Sequence, residues 1–254
     1  MGGEVVLVTG GSSGIGLAAA RLFVARGARV WITARGEDAL RAAVAELGPT
    51  SRSFPCDITD STSLEALAHA IQHEDGRLDT LVHSAGQLAL APAEESTEIA
   101  EKLMRVNYLG LARTVRATLP LLRLGSRRSI VALSSFVGRV VPPYWSAYAA
   151  SKHAVQAYAH ALRQELRRER FHVGLVLPGP VRSPMTHDLL GTEMYPLPVG
   201  VPVIQPEQVA DAILRCTLRR RAEVVVPGHF GPLLRLGSAI PRLVDWMYRP
   251  YARK

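Results

Sequence analysis

A short apolar, β-branched run, Val5-Val6-Leu7-Val8, passes directly into Thr9-Gly10-Gly11-Ser12-Ser13-Gly14-Ile15-Gly16 and then into a helical stretch at 17–26. Such a run reads as a buried parallel strand. The glycines permit a tight turn and let backbone N–H groups approach a phosphate at the start of the helix. Strand, glycine turn and helix in that order are the context a dinucleotide-binding unit requires. The spacing of Gly10, Gly14 and Gly16 is Gly-x-x-x-Gly-x-Gly rather than Gly-x-Gly-x-x-Gly, and an ordinary βα turn is the alternative account. Gly27 is placed to cap the helix.

The alternation continues. Strands are expected at 29–33, 52–55, 78–83, 129–133, 172–177 and 223–226, with helices at 38–47, 61–74, 97–124, from Tyr148 to about 168, and 207–219. Strands and helices alternating along a chain give a doubly wound parallel sheet with helices on both faces, a three-layer α/β/α fold. Ligands in such folds bind at the carboxyl ends of the strands, so residues there carry the most information. The second strand ends at Ala34-Arg35, where a NAD site places a carboxylate against the ribose. Arg35 suits a 2′-phosphate, which its guanidinium can bond in bidentate fashion, so NADP(H) is favoured over NAD(H). A plain surface arginine is the other account. Asp57, after the third strand, either bonds an adenine amino group or serves as a turn or cap for the next helix. The fourth strand closes on Ser84-Ala85-Gly86, again small enough for close approach of a ligand. Asn107 sits among apolar neighbours in the long helical region, and a buried amide there must be satisfied or functional.

Tyr148 and Lys152, four residues apart, share one face of a helix. An ammonium near a phenol favours the phenolate and makes a proton donor or acceptor usable near neutral pH. Ser134 and Ser135 end the strand that precedes them, and Pro178-Gly179-Pro180 ends the sixth. Residues 181–206, rich in Pro, Gly and Met and with little periodicity, read as a substrate lid or else as a disordered stretch. The tail, 229–254, mixes Leu233, Leu234, Leu236, Ile240, Val244, Trp246 and Met247 with Arg235, Arg242 and Arg249. Three accounts are open for it: contact with an anionic membrane surface, cover for an apolar substrate pocket, or packing on its own domain or a second subunit.

At 254 residues, 48% hydrophobic and 20% charged, the chain fits one α/β domain spanning 1–254. No apolar run approaches the ~18 residues of a membrane span. The first strand begins at once, without a basic or cleavable segment, so a secretory leader is not expected. Cys56 and Cys216 stand apart in no metal-like spacing, which fits reduced thiols in the cytoplasm and no metal site. The formal charge of +8 is spread over clusters such as Arg127-Arg128, Arg167-Arg168 and Arg219-Arg220-Arg221. No aromatic residues interleave with them, so a solvated surface or a membrane-surface role is preferred to nucleic-acid binding, and no nucleic-acid partner is expected.

In this order along the chain, Thr9-Gly10-x-x-x-Gly14-Ile15-Gly16, Asp57, Ala85-Gly86, Asn107, Ser135, Tyr148-x-x-x-Lys152 and Pro178-Gly179 resemble the short-chain dehydrogenase/reductase family. The resemblance runs from Val5 to about Pro227 and implies a Rossmann-like parallel sheet of about seven strands. It implies Tyr148 as the general acid, Lys152 as the residue that lowers its pKa and bonds the nicotinamide ribose, and Ser135 as the group that polarises a carbonyl. Ser134 is then structural, and Asn107 holds a water in a proton relay through the lysine. For the cofactor the resemblance implies Gly10, Ser12, Ser13, Gly14, Ile15, Gly16, Arg35, Asp57, Ile58, Ala85, Gly86, Tyr148, Lys152, Pro178, Gly179, Val181 and Ser183. Ser84 stands where relatives carry Asn, and Ser183 where they often carry Thr. The expected activity is NADP(H)-dependent interconversion of a ketone or aldehyde with its alcohol. The apolar lid and tail point to a hydrophobic substrate: a 3-ketoacyl or ketosphingoid lipid, a steroid or a xenobiotic carbonyl. A homodimer or homotetramer pairing through the long helices is expected. The competing account is a catalytically silent NADP-binding regulatory or scaffold protein, against which the intact Asn107, Ser135, Tyr148 and Lys152 speak.

Overall fold

The structure, a computed structural model, describes residues 1–190, 192 and 200–249. Seven parallel strands form one sheet in the order β3-β2-β1-β4-β5-β6-β7. They are β1 (Val5–Thr9), β2 (Arg29–Ala34), β3 (Ser51–Pro55), β4 (Thr80–His83), β5 (Ser129–Leu133), β6 (His172–Pro178) and β7 (Glu223–Val226). The strand order reverses between β1 and β4, and this reversal opens a crevice above their carboxyl ends.

Strand pleating sorts the core into two layers. Val6, Val8, Val30, Ile32, Val82, Val131 and Val176 face one way, into a cluster with α1 (Gly14–Val24), α2 (Glu37–Leu47) and α7 (Pro206–Leu218). Val5, Leu7, Leu81, Ile130, Val173 and Leu175 face the other, against α3 (Ser61–Asp75), α5 (Gly110–Leu124) and α6 (Ser146–Glu165). Both faces being covered explains why the central strands β1, β4, β5 and β6 are buried along their whole length and read as mostly apolar runs. Asp79 pins the amino edge of the sheet: its carboxylate accepts from Val5 N at 2.8 Å and from Ser126 N at 2.7 Å.

Three segments depart from the expected outline. The region 97–124 is not one helix. It is α4 (Thr97–Leu103), a π-helical turn at Met104–Leu109 that contains Asn107, and α5. The first helix starts at Gly14 rather than Leu17, so the last glycines of the turn are its first residues; Gly27 (φ 76°) lies two residues beyond its C-cap, Ala25. The tail forms α8 (Gly231–Ala239) and α9 (Pro241–Tyr248). In the segment expected as a lid, Val181 bridges Ile204, and residues 191 and 193–199 of the stretch between lie outside the described residues.

Candidate active site

The glycine turn leaves β1 flush against its neighbours. Gly10 (φ 67°) holds a conformation that side chains rarely adopt, and a Cβ there would stand 2.9 Å from the Ala85 backbone. A Cβ on Gly16 would lie 2.1 Å from the Gly10 carbonyl oxygen. α1 therefore starts directly above the turn. Ser13, its N-cap, makes no side-chain capping bond, and no acidic residue stands in the first turn. The unpaired N–H groups and the positive end of the helix dipole are left for an anion. They face a cleft of about 630 Å³ whose walls include Gly10, Ser12, Ser13, Gly14, Ile15, Gly16, Arg35, Asp57, Ile58, Ala85, Gly86 and Ser183. These residues fit a dinucleotide: a cradle any side chain would fill, an open helix terminus, and a guanidinium at one end. Gly16→Ala is expected to displace the turn and abolish dinucleotide binding while leaving the far-UV circular dichroism close to wild type. Undiminished quenching of protein fluorescence by NADPH in that variant would contradict the close packing.

Arg35 is exposed at the end of β2. Asp57 accepts from Thr59 N at 2.8 Å and Thr59 Oγ1 at 2.9 Å, and the cap of α3 is Asp60. Asp57 is thus a turn residue in the cleft wall. The Thr59 N–H foremost, with Arg35 contributing least, holds its carboxyl below the usual range.

At the carboxyl ends of β5 and β6 a second cavity, about 380 Å³, holds Ser135, Tyr148 and Lys152 together with Pro178, Gly179, Val181 and Ser183. Tyr148 is buried, and the Lys152 ammonium lies 5.7 Å from the centre of its ring. Lys152 Nζ donates to the Leu133 carbonyl at 3.1 Å, and burial lowers its pKa to about 8. His83, beneath it at the end of β4, has its Nδ1 3.1 Å from Thr9 Oγ1; burial first, and the Lys152 charge second, push it down to about 3, so it is neutral. Ser135 Oγ accepts from Val137 N at 3.3 Å. Ser134 borders the same cavity, but its hydroxyl is engaged: it donates to the Lys152 carbonyl and accepts from Gln156 Nε2 at 2.9 Å.

Asn107 lines neither cavity. Its Oδ1 accepts from Gln87 N at 2.7 Å, and its Nδ2 donates to the Gln87 carbonyl and to Ser151 Oγ, both at 2.9 Å. The π-helical turn aims this amide at the loop after β4, a placement common at functional sites. The amide fastens that loop to α6, the helix of Tyr148 and Lys152. Gly86 fits between: a Cβ there would stand 3.1 Å from Asn107 Oδ1 and 3.6 Å from Lys152 Nζ.

Of the three accounts of the tail, packing on its own domain and covering an apolar cavity are both realised. Phe230, Leu234, Val244, Met247 and Tyr248 line the cavity beside Tyr148, and Phe136 meets Phe230 at 5.6 Å between ring centres. Residues 250–254 lie outside the described residues. Sequence reading missed Phe136, Trp145 and Thr186 in this cavity, and Lys102 and Arg105 on the rim of the first. No periodicity marks them, because chain crossings bring them in. No helix among the described residues is long and apolar enough to cross a membrane, and no cluster among them could hold a metal ion.

Comparison with known proteins agrees with the fold. The short chain dehydrogenase family model matches residues 4–193. A fatty acyl-CoA reductase of Acinetobacter baylyi is 32% identical over 94% of this chain and 80% of its own. The dehydrogenase/reductase SDR family member 7B of Danio rerio is 34% identical over 90% of this chain and 78% of its own. The crystal structure of gox2181 superposes with a TM-score of 0.81 at 28% identity, covering 89% of this chain and 94% of that one.

Proposed function

The chain belongs to the short-chain dehydrogenase family of oxidoreductases, and on that premise we propose that it is an NADP(H)-dependent reductase of a hydrophobic ketone or aldehyde, able to run in reverse on the alcohol. The observation that carries this reading is the adjoining of the two cavities. Ile15, Ser84, Gly86, Ser183 and Met185 belong to the walls of both, so a ligand on the glycine turn reaches the chamber of Tyr148.

The roles follow from the chemistry of each group. A bound nicotinamide supplies the hydride. Tyr148 gives its phenolic proton to the carbonyl oxygen, and the Lys152 ammonium favours the phenolate that remains. The Val137 N–H occupies one lone pair of Ser135 Oγ and leaves the hydroxyl proton for the same carbonyl oxygen. Asn107 keeps the Gly86–Gln87 loop and α6 in register and, through the lysine, belongs to the path by which a proton returns to Tyr148. Asp57 and Ile58 border the adenine end, and Ser183 stands near the nicotinamide end.

Two observations support a long apolar substrate. Away from Ser135, Tyr148 and Lys152 the second cavity is walled by Phe136, Val140, Trp145, Leu234 and Met247, and one relative bears the name fatty acyl-CoA reductase. Exposed Leu109 and Leu124, on the π-helical turn and α5, support pairing of subunits there. Exposed Leu233, Leu236 and Trp246, interspersed with arginines, support peripheral contact of the tail with a membrane. Cys56 and Cys216, both free thiols, fit the reducing cytoplasm.

The test is a cofactor-consumption screen over ketones and aldehydes of graded chain length, with NADPH and with NADH. Turnover is expected to rise with chain length and to favour NADPH. If every medium-chain and long-chain carbonyl stays unreduced, the substrate class is wrong. Arg35→Ser is expected to cut the preference for NADPH over NADH by about tenfold or more, the size of a lost charge-assisted hydrogen bond. An unchanged ratio of kcat/KM values removes Arg35 from the cofactor site.

A further inference from the structure

Six turns return the chain from a helix to strands β2 through β7, all at the edge of the sheet opposite the candidate active site. The turns into β2, β3 and β4 place a glycine in the left-handed region: Gly27 (φ 76°), Gly48 (φ 86°) and Gly76 (φ 69°). The turns into β5, β6 and β7 place an arginine there: Arg128 (φ 51°), Arg170 (φ 59°) and Arg220 (φ 49°). Glycine adopts this conformation freely and an L side chain does so only under strain. A residue kept there against its backbone preference is kept for its side chain, and strain of this kind collects at functional positions.

The three strands are neighbours in the sheet, so the three turns lie side by side. With Arg127, their arginines surround an open concavity of about 500 Å³ floored by Gly125 and Ser126. Among the described residues the guanidiniums of Arg128 and Arg220 reach only backbone carbonyls. Arg128 donates to Glu169 O at 3.1 Å and Gly125 O at 3.4 Å; Arg220 donates to Arg127 O at 3.0 Å and Arg170 O at 2.6 Å. Those carbonyls fix the guanidiniums and leave most of their five N–H donors available. The carboxylates nearby are engaged elsewhere: Glu4 by Arg127, Glu169 by Arg123, and Asp79 by Arg77 and Ser126. Among the described residues no carboxylate forms an ion pair with Arg128, Arg170 or Arg220.

We propose that this concavity is an anion site for a phosphate-bearing group, with Arg128, Arg170 and Arg220 as its ligands. Planar guanidiniums held in place match phosphate oxygens in bidentate fashion. The phosphate comes either from a soluble oligophosphate or from a phospholipid headgroup. The site is separate from the glycine turn and independent of the activity proposed above.

The experiment compares the full chain with the triple variant Arg128→Gly, Arg170→Gly, Arg220→Gly, in which glycine suits the backbone of every turn. Each is titrated with inorganic pyrophosphate in a calorimeter at low and high salt. Each is also floated with phosphatidylcholine vesicles, plain and containing phosphatidylglycerol. Wild type is expected to bind pyrophosphate with an affinity that falls with salt, and the triple variant to bind at least about a hundredfold more weakly with an unlowered melting temperature. Flotation with phosphatidylglycerol alone, lost in the variant, names a lipid headgroup as the source; its absence names a soluble phosphate. Three results overturn the proposal: no saturable binding of either probe by wild type, a pyrophosphate isotherm the triple variant leaves unchanged, which puts the anion at the glycine turn, or a variant that melts markedly lower while wild type binds neither probe, which makes the arginines caps for the carbonyls they touch.

Discussion

Replacing Tyr148 by Phe is expected to lower kcat/KM for carbonyl reduction by about 10²–10⁴-fold, the range of a lost general acid. The ring stays. It keeps its edge contact with Trp145, 5.8 Å between centres, and its place over the Lys152 ammonium. Only the hydroxyl leaves, so thermal stability and NADPH affinity are expected to change little. Stopped-flow measurement of NADPH oxidation, with fluorescence titration of NADPH alongside, separates the two effects. A variant as fast as wild type under single-turnover conditions would take Tyr148 out of the chemistry and revive the reading of a silent cofactor-binding protein.

Lys152→Met is expected to be nearly as damaging and to alter the pH profile in a way a packing defect would not. Met keeps an unbranched side chain of similar length in this buried position but removes the ammonium and its bond to Leu133 O. In wild type the burial that lowers the Lys152 pKa to about 8 makes its charge titrate within the working range. Rate support from the ammonium is therefore complete well below pH 8 and is lost as the pH rises through about 8. In the variant that limb is absent. Stability moves with the opposite sign. The folded pKa lies below the ordinary value of 10.5, so between about 8 and 10.5 the unfolded chain binds the extra proton, and stability rises with pH across that window. Urea denaturation at stepped pH is expected to show wild type gaining on the variant from about pH 8 upward. A constant difference from pH 7 to 10 would mean that Lys152 is neither buried nor charged as described.

The elements that the sequence exposed are those whose signal is local. β1 follows from Val5 to Val8, β5 and β7 were expected at the bounds they have, and the glycine turn was legible because only glycine tolerates the contacts at positions 10 and 16. The pairing of Tyr148 with Lys152 was legible for a similar reason, since four residues make one helical turn. The π-helical turn at 104–109 was not. Its apolar spacing passes for an ordinary helix, and the extra residue that re-aims Asn107 is fixed by the loop it must reach, Gly86–Gln87, some twenty positions away.

Residue type and short-range spacing thus determined the strands, the glycine turn and the pairing of Tyr148 with Lys152, because steric and helical rules act over a few residues. Tertiary structure alone decided three things. It tied the Ser134 hydroxyl to the Lys152 carbonyl and Gln156, and left the Ser135 hydroxyl, bonded to the Val137 N–H, with its proton uncommitted in the cavity wall. It folded α8 and α9 back as a wall of that cavity instead of leaving them for a partner. It set Arg128, Arg170 and Arg220 side by side from turns roughly fifty residues apart. Each depends on which strands are neighbours and on where an apolar surface finds its cover, and those are properties of the assembled sheet that no stretch of chain carries by itself.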